Sequence, residues 1–537
     1  MRRRLSKLQY GVQEIQRLRS VYSLSRTIAG IDACIESRIP LKDAASPVLF
    51  LNASTRIHHL SQNAAFQLFA SWAVRMAGIP TLQVVCNRGM LQCMLGTNLS
   101  NPQARPPCAQ CVGVSKRIYA KDSRIDLPLD RSSLGFIPEL RTLSLSQLTE
   151  WHYHDFALGE LCKPSLEWAL RRTDLPDDPP TRSLLRKYLV SAASITNTFE
   201  KLLRELEPQA VLVFNGITYP EAVARSVAMR AGIPVITHEV GLRPFSAFFS
   251  HGHATAYPLT IPSSTRLSDE EDAQLDAYLE ERIQGRFSMA GVRFWPEIHD
   301  LPPWLEDKIR SYRQMVPIFT NVIFDTSQVH ANLLFEDMFA WLDDSIRMID
   351  SQPDTLFVIR AHPDEMRPGK ASRQSVAQWF EARDLYSRQN VIFIPSSEYI
   401  SSYELIRRAA FVMVYNSSIG LEASIMGSQV LCAGKARYTQ FPTVMFPKTQ
   451  SEYHVLLDQL LAGKAERDAR MQQNARTFLY YQLFRSSLDF SRFLRPNPML
   501  SGAVVFEDFN FEELLPENAR EMAILQRGIL DGADFLY

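Results

Sequence analysis

Cysteine is scarce in this chain, with seven in 537 residues, far too few for a disulfide framework. An excess of charge of either sign is also missing. Lys plus Arg and Asp plus Glu number 58 each, so there is no basic surplus with which to hold nucleic acid generally. Long apolar runs are absent too. The most apolar helical stretch, residues 66–79, is short and is interrupted by Arg75, which excludes it as a membrane span. Met1 and the three arginines after it are not followed by the apolar core of a secretory signal. These features lead to the expectation of a cytoplasmic protein with reduced thiols. No two Asp residues are separated by a single residue, so an Asp-x-Asp metal motif is lacking.

What is present is globular. Hydrophobic residues make up 46% and charged residues 22%, and the length suits two large domains with extensions. The first 26 residues hold seven Lys or Arg against the single acid Glu14. Leu5, Leu8, Val12, Ile15 and Leu18 recur at helical spacing. This segment reads as a basic amphipathic helix. Such a helix either packs on its domain with a solvated basic face or makes peripheral contact with an anionic membrane.

Strand-length apolar runs then alternate with helical patterns. Residues 47–52 and 81–86 read as strands flanking a helix at 63–77, a parallel β-α-β unit. The pattern returns with strands at 210–214 and 234–237 around a helix at 219–231. Further strands are expected at 316–325, 355–360, 391–394, 411–415 and 429–433, separated by helices. The expected fold class is α/β, with two doubly wound Rossmann-type domains facing a cleft. The expected divisions are a helical extension over 1–45, a first domain over 46–300 with a Cys-containing insertion at 86–135, a second over 301–495, and a tail over 496–537. The acidic, Trp/Pro-rich stretch 258–312 reads as the linker.

Three strand ends in the second domain carry candidate chemistry. Asn416, Ser417 and Ser418 form a small polar turn before a helix that bears Glu422. Hydroxyls and free backbone N–H groups there suit a phosphate, although an ordinary helix cap has the same residues. Arg360, His362 and Pro363 follow another strand, where the cations either meet a phosphate or are simply solvated. Lys435 and Arg437 lie in Gly434-Lys-Ala-Arg-Tyr438 after the next strand.

A His-Pro after one strand, a small-residue turn with Glu on the following helix, and a Gly-x-x-x-Tyr segment together resemble bacterial capsule polysaccharide biosynthesis proteins, including transferases of the acidic sugar Kdo. The resemblance covers roughly residues 315–485. It implies a GT-B fold, a nucleotide-activated sugar donor in the second domain, a glycan or lipid-linked glycan acceptor, and no metal or other cofactor essential to catalysis. It also implies that His362, Pro363 and Asn416 to Ser418 hold the donor phosphate and that Glu422 meets the ribose. In the first domain Phe214-Asn-Gly216 and Thr237-His-Glu-Val-Gly241 resemble strand-end motifs of surface-polysaccharide transferases.

Glycosyl transfer needs a base for the acceptor hydroxyl or a carboxylate nucleophile. Glu239, its neighbour His238, and Asp325 are the candidates; a salt-bridged or capping carboxylate is the plainer role for Glu239. His58, His59, His251 and His253 lie in nearby loops. The same fold also serves nucleotide-sugar epimerases, and a non-catalytic glycan-binding assembly subunit is a third reading.

Cys86, Cys93, Cys108 and Cys111 fall within 26 positions. Four thiolates so grouped could bind structural zinc or an iron–sulfur cluster, or could be reduced thiols in loops and core.

Overall fold

The computed structural model describes residues 2–53, 58–98, 100–284, 288–289, 292–293, 299–367 and 371–537. The chain divides into two units. Unit 1 comprises residues 1–169, 176–254 and 485–537, and unit 2 comprises residues 170–175 and 255–484. The boundary therefore falls at Thr255 rather than at 300. The last segment is not a separate tail, because it returns to unit 1 from residue 485 onward. Part of the expected linker, residues 285–287, 290–291 and 294–298, lies outside the described residues.

In chain order the strands of the two large sheets are β1 (Val48–Asn52), β2 (Thr81–Cys86), β3 (Arg124–Leu127), β4 (Ala210–Phe214), β5 (Val235–Val240), β6 (Ser246–Ser250), β7 (Gln314–Phe319), β8 (Thr355–Arg360), β9 (Val391–Ile394), β10 (Val412–Val414), β11 (Val430–Cys432) and β12 (Leu488–Asp489). The sheet of unit 1 has the order β12-β6-β5-β4-β1-β2-β3. Its strands β1 to β5 pair in parallel. Strands β6 and β12 add an antiparallel edge. The sheet of unit 2 is wholly parallel, in the order β9-β8-β7-β10-β11. Both parallel sets run 3-2-1-4-5, so the connections reverse direction beside the first strand of each. That crevice, at the carboxyl ends of the strands, is where doubly wound sheets bind ligands. The central strands are apolar nearly throughout because helices cover both faces.

Helix α1 (Arg2–Arg38) is longer than the basic segment suggested. Leu24, Ile28, Ile31 and Ile35 are buried in the core of unit 1 at spacings of three and four. Asp32 also accepts from Trp72 Nε1 (3.0 Å) and Arg75 Nη1 (2.6 Å) on α2 (Gln62–Met76). The second half of α1 is thus a packed helix. Ile15 and Leu18, from the predicted apolar face, are exposed. The side chains of Arg2, Arg3, Arg4, Leu5, Lys7, Leu8 and Val12 lie outside the described residues. The core of unit 1 is completed by residues after 485. Phe490 stacks on Phe69 at 4.8 Å between ring centroids, and Phe493 packs at 5.5 Å from the same ring.

Candidate functional site

In unit 2 the switch point lies between β7 and β10. The chain leaves β10 through Tyr415 into the turn Asn416-Ser417-Ser418. Asn416 is pinned at its side-chain oxygen, which accepts from Asn321 Nδ2 (2.6 Å) just beyond β7 and from Gln328 Nε2 (2.9 Å). Two donors on one oxygen fix the amide plane and leave its NH₂ as the remaining donor. Sequence reasoning missed Asn321 and Gln328. The amides sit in a loop whose chemistry gives no signal until the fold brings it beside residue 416.

The Gly434-x-x-x-Tyr438 segment has a constructional role. The buried Tyr438 hydroxyl donates to Ser417 O at 2.7 Å, holding the turn from beneath. Gly434 lies where a Cβ would stand 3.0 Å from the Tyr415 ring, and a Cβ on Gly420 would stand 2.5 Å from the Tyr438 oxygen. Gly420 is therefore required by close approach, and at Gly434 a Cβ would press on the Tyr415 ring. Arg437 lies over the Tyr257 ring at 4.3 Å, whereas Lys435 is exposed.

At the end of β8 the structure separates the neighbours Arg360 and His362. Arg360 is 2% exposed and donates to Pro395 O and Glu398 O, both at 2.6 Å. It clamps the loop after β9 from the interior, a structural role where a phosphate contact was expected. Burial lowers its pKa to about 10. His362 Nδ1 accepts from the Asp364 backbone N–H at 3.1 Å, so Nε2 carries the ring proton. Burial lowers the pKa of His362, opposed by the carboxylates of Asp364 and Asp325. Asp325 is thereby placed near His362, at the start of the turn Thr326–His330, where Thr326 and Ser327 bond its carboxylate at 3.5 and 3.4 Å. Pro363 opens the short turn Pro363–Met366.

Two helices complete this region, α3 (Cys108–Ile118) in unit 1 having preceded them in the chain. They are α4 (Asp269–Ile283) and α5 (Ile419–Ile425). Helix α5 has seven residues, and exposed Ser418 makes no side-chain cap bond to it. A helix this short supplies little aligned dipole, so the phosphate-binding case rests on the side chains and backbone of the turn. Glu422 is buried and already engaged. One oxygen accepts from Arg282 of α4 at 2.6 Å and the other from Tyr403 Oη at 2.5 Å. Burial would lower the Arg282 pKa, but the Glu422 charge carries it well above its ordinary value. Glu422 thus anchors α4 to α5, buried and with each oxygen already accepting one hydrogen bond.

In unit 1, Glu239 and Asn215 meet at the carboxyl ends of β5 and β4. Asn215 Nδ2 donates to Glu239 Oε2 at 3.3 Å, and Glu239 Oε1 accepts from Val240 N at 2.9 Å. Asn215 has a φ of 29° and Gly216 a φ of 74°. This left-handed pair turns the chain sharply away from β4. Glu239 is partly exposed, as a base needs to be. His238 points to the opposite face, as strand alternation demands. It is fully buried between Phe214 and Phe249, with ring centroids 5.7 and 5.3 Å away. Burial pushes its pKa down to about 3, so His238 is a neutral core residue and the catalytic expectation for it is corrected. His59 is also buried, against Ser20 Oγ of α1 at 3.0 Å. His251 Nε2 meets Ala533 O at 3.1 Å. His58 remains exposed, and His253 is part-buried.

Cys86, Cys93, Cys108 and Cys111 all line one cavity of ≈ 20 Å³ in unit 1. None of the four is in a disulfide. Burial raises Cys86 to about 11 and Cys93 and Cys111 to about 12.

The class defined so far is a doubly wound α/β protein with polar turns at its strand ends. Residues 305–443, which hold the whole sheet of unit 2 and the Asn416 turn, match the family model for capsule polysaccharide biosynthesis protein. The resemblance read from the sequence is thus borne out over that region. Solved structures with similarity include KpsC of Thermosulfurimonas dismutans, a beta Kdo 2,4 transferase, at 13% identity. That match covers 57% of this chain and 87% of the other, with a TM-score of 0.34. The beta Kdo 2,7 transferase KpsC from the same organism is 14% identical over 60% and 89%, with a TM-score of 0.31. UDP-GlcNAc 2-epimerase from Neisseria meningitidis, bound to UDP-GlcNAc, is 14% identical over 81% and 98%, with a TM-score of 0.24. Scores of this size establish no common overall fold and carry nothing about activity. No curated protein matches the chain.

Proposed function

We propose that this chain is a glycosyltransferase of surface-polysaccharide assembly. It moves a sugar from a nucleotide-activated donor to a growing bacterial capsule-type glycan or its lipid-linked precursor. The observation that carries this reading is the family match over residues 305–443, which coincides with the switch point where Asn416 is fixed by Asn321 and Gln328. In this reading the Asn416 amide, the Ser417 and Ser418 turn and the His362 Nε2–H face the donor phosphates, and Lys435 adds charge from the next loop. Preorganised donors of this kind stabilise a leaving phosphate without a metal ion. Glu239, oriented by Asn215, is the base for the acceptor hydroxyl. The exposed Ile15 and Leu18 on α1, beside its basic start, support peripheral contact with an anionic membrane where lipid-linked acceptors lie.

The test is calorimetric titration of CMP, UDP, GDP and their sugars into the wild type, Asn416→Ala and His362→Ala. Binding of one nucleotide family, weakened in both variants with the fold retained by circular dichroism, is the expected result. Absence of binding by every nucleotide would overturn the proposal. Liposome flotation with and without anionic lipid tests the membrane contact.

A further inference from the structure

The segment between β2 and α3 has no helix or strand among its described residues, yet Gly89, Met90, Gln92, Gly96 and Thr97 within it are buried. Cys86 ends β2, Cys93 lies in the segment, Cys108 opens α3 and Cys111 follows one turn later. Residues separated by up to 25 positions thus converge on one cavity. Every pair among the four is close enough to interact electrostatically. The rest of the lining contains no His, Asp or Glu, has Arg88 as its one charged residue, and is otherwise apolar, with Met90, Leu95, Pro106 and Val112 among it. The cavity has room for about one water-sized body. Backbone N–H groups already aim at sulfur, with Gly96 N donating to Cys93 Sγ at 3.0 Å.

We infer that Cys86, Cys93, Cys108 and Cys111 form a four-thiolate site for a single soft metal ion such as zinc, which ties the irregular segment to the carboxyl edge of the unit 1 sheet. Soft ligands without competing oxygen or imidazole select such centres. Among the described residues no three His, Cys, Asp or Glu side chains are set, as they stand, to hold a metal ion. Loading therefore draws the thiols inward around the cavity, by side-chain rotation at four positions that already surround it. The site is independent of the proposed transfer reaction, and its role is structural.

The full chain is to be expressed in medium supplied with both zinc and iron and purified without oxygen. Metal content, acid-labile sulfide and visible absorbance are then measured. About one zinc per chain with a colourless protein identifies a single-ion site. Iron with matching sulfide and visible charge-transfer bands, the mark of a cluster, would overturn the single-ion assignment. Cys108→Ser and Cys111→Ser are each expected to lose the metal, whereas Cys34→Ser, on α1 and away from the cavity, keeps it. A metal-free wild type that also takes up neither metal on reconstitution overturns the inference, whatever the folding of the variants. So does undiminished metal in the Cys108 and Cys111 variants.

Discussion

Replacing Glu365 by Gln removes a buried carboxyl from the loop that follows β8. Glu365 is 4% exposed, and its Oε1 accepts from the Val376 backbone N–H at 2.7 Å. Burial, only partly offset by that bond, raises its pKa from 4.5 to about 7. The raised value means that the folded state favours the protonated acid. The folded state is unpenalised below the unfolded pKa, and stability falls as pH rises through the folded one. At ~1.4 kcal/mol for each tenfold change in proton affinity, the loss above neutrality is about 3 kcal/mol. Gln keeps an oxygen for Val376 N–H and carries no charge. For a unit of this size, about 2–4 °C per kcal/mol converts the gain to roughly 6–12 °C in Tm near pH 8. Near the unfolded pKa the gain shrinks toward zero. Thermal melts of the wild type and Glu365→Gln across that range test this. Parallel pH profiles for the two proteins would refute the burial argument.

Arg360→Lys is expected to lower stability by about 2–4 kcal/mol, because a lysine cannot span the carbonyls of Pro395 and Glu398 together. Donor affinity of the folded fraction should be unchanged. A stable variant with lost affinity would return Arg360 to the phosphate. Gly420→Ala is expected to cost about 1–3 kcal/mol by overpacking against Tyr438 and Val414. Tyr438→Phe in the same chain should recover part of that, as a denaturant double-mutant cycle will show. Glu239→Gln should lower kcat by about 10²–10⁴ with donor affinity intact; full activity would dismiss Glu239 as the base.

The central strands were legible because apolar runs such as residues 355–360 and 210–214 have few other homes. The edges were not. Strand β3 is four residues, RIDL, with charges and only Leu127 buried. Strand β12 has two residues and joins β6 from more than two hundred positions away. The site was half legible for a similar reason. Asn416 and His362 stand at recognisable strand ends, but local pattern does not say which way a side chain turns. Arg360 lies two residues before His362 and faces the interior. Glu422 looked free on a helix until Arg282, 140 positions earlier, closed on it.

The return of residues 485–537 to unit 1 has a consequence for biosynthesis. Unit 2 is almost continuous in sequence and can complete its sheet as soon as residue 484 has left the ribosome. Unit 1 begins first and finishes last. Until its closing segment emerges, β6 is an unprotected edge and Phe66 and Phe69 lack Phe490 and Phe493. Open edges and bare aromatic faces are what chaperones cover. The nascent chain should therefore depend on such help through most of its synthesis, and a chain arrested when residue 484 has just cleared the ribosome exit should carry a folded second unit and a first unit still bound by a holdase.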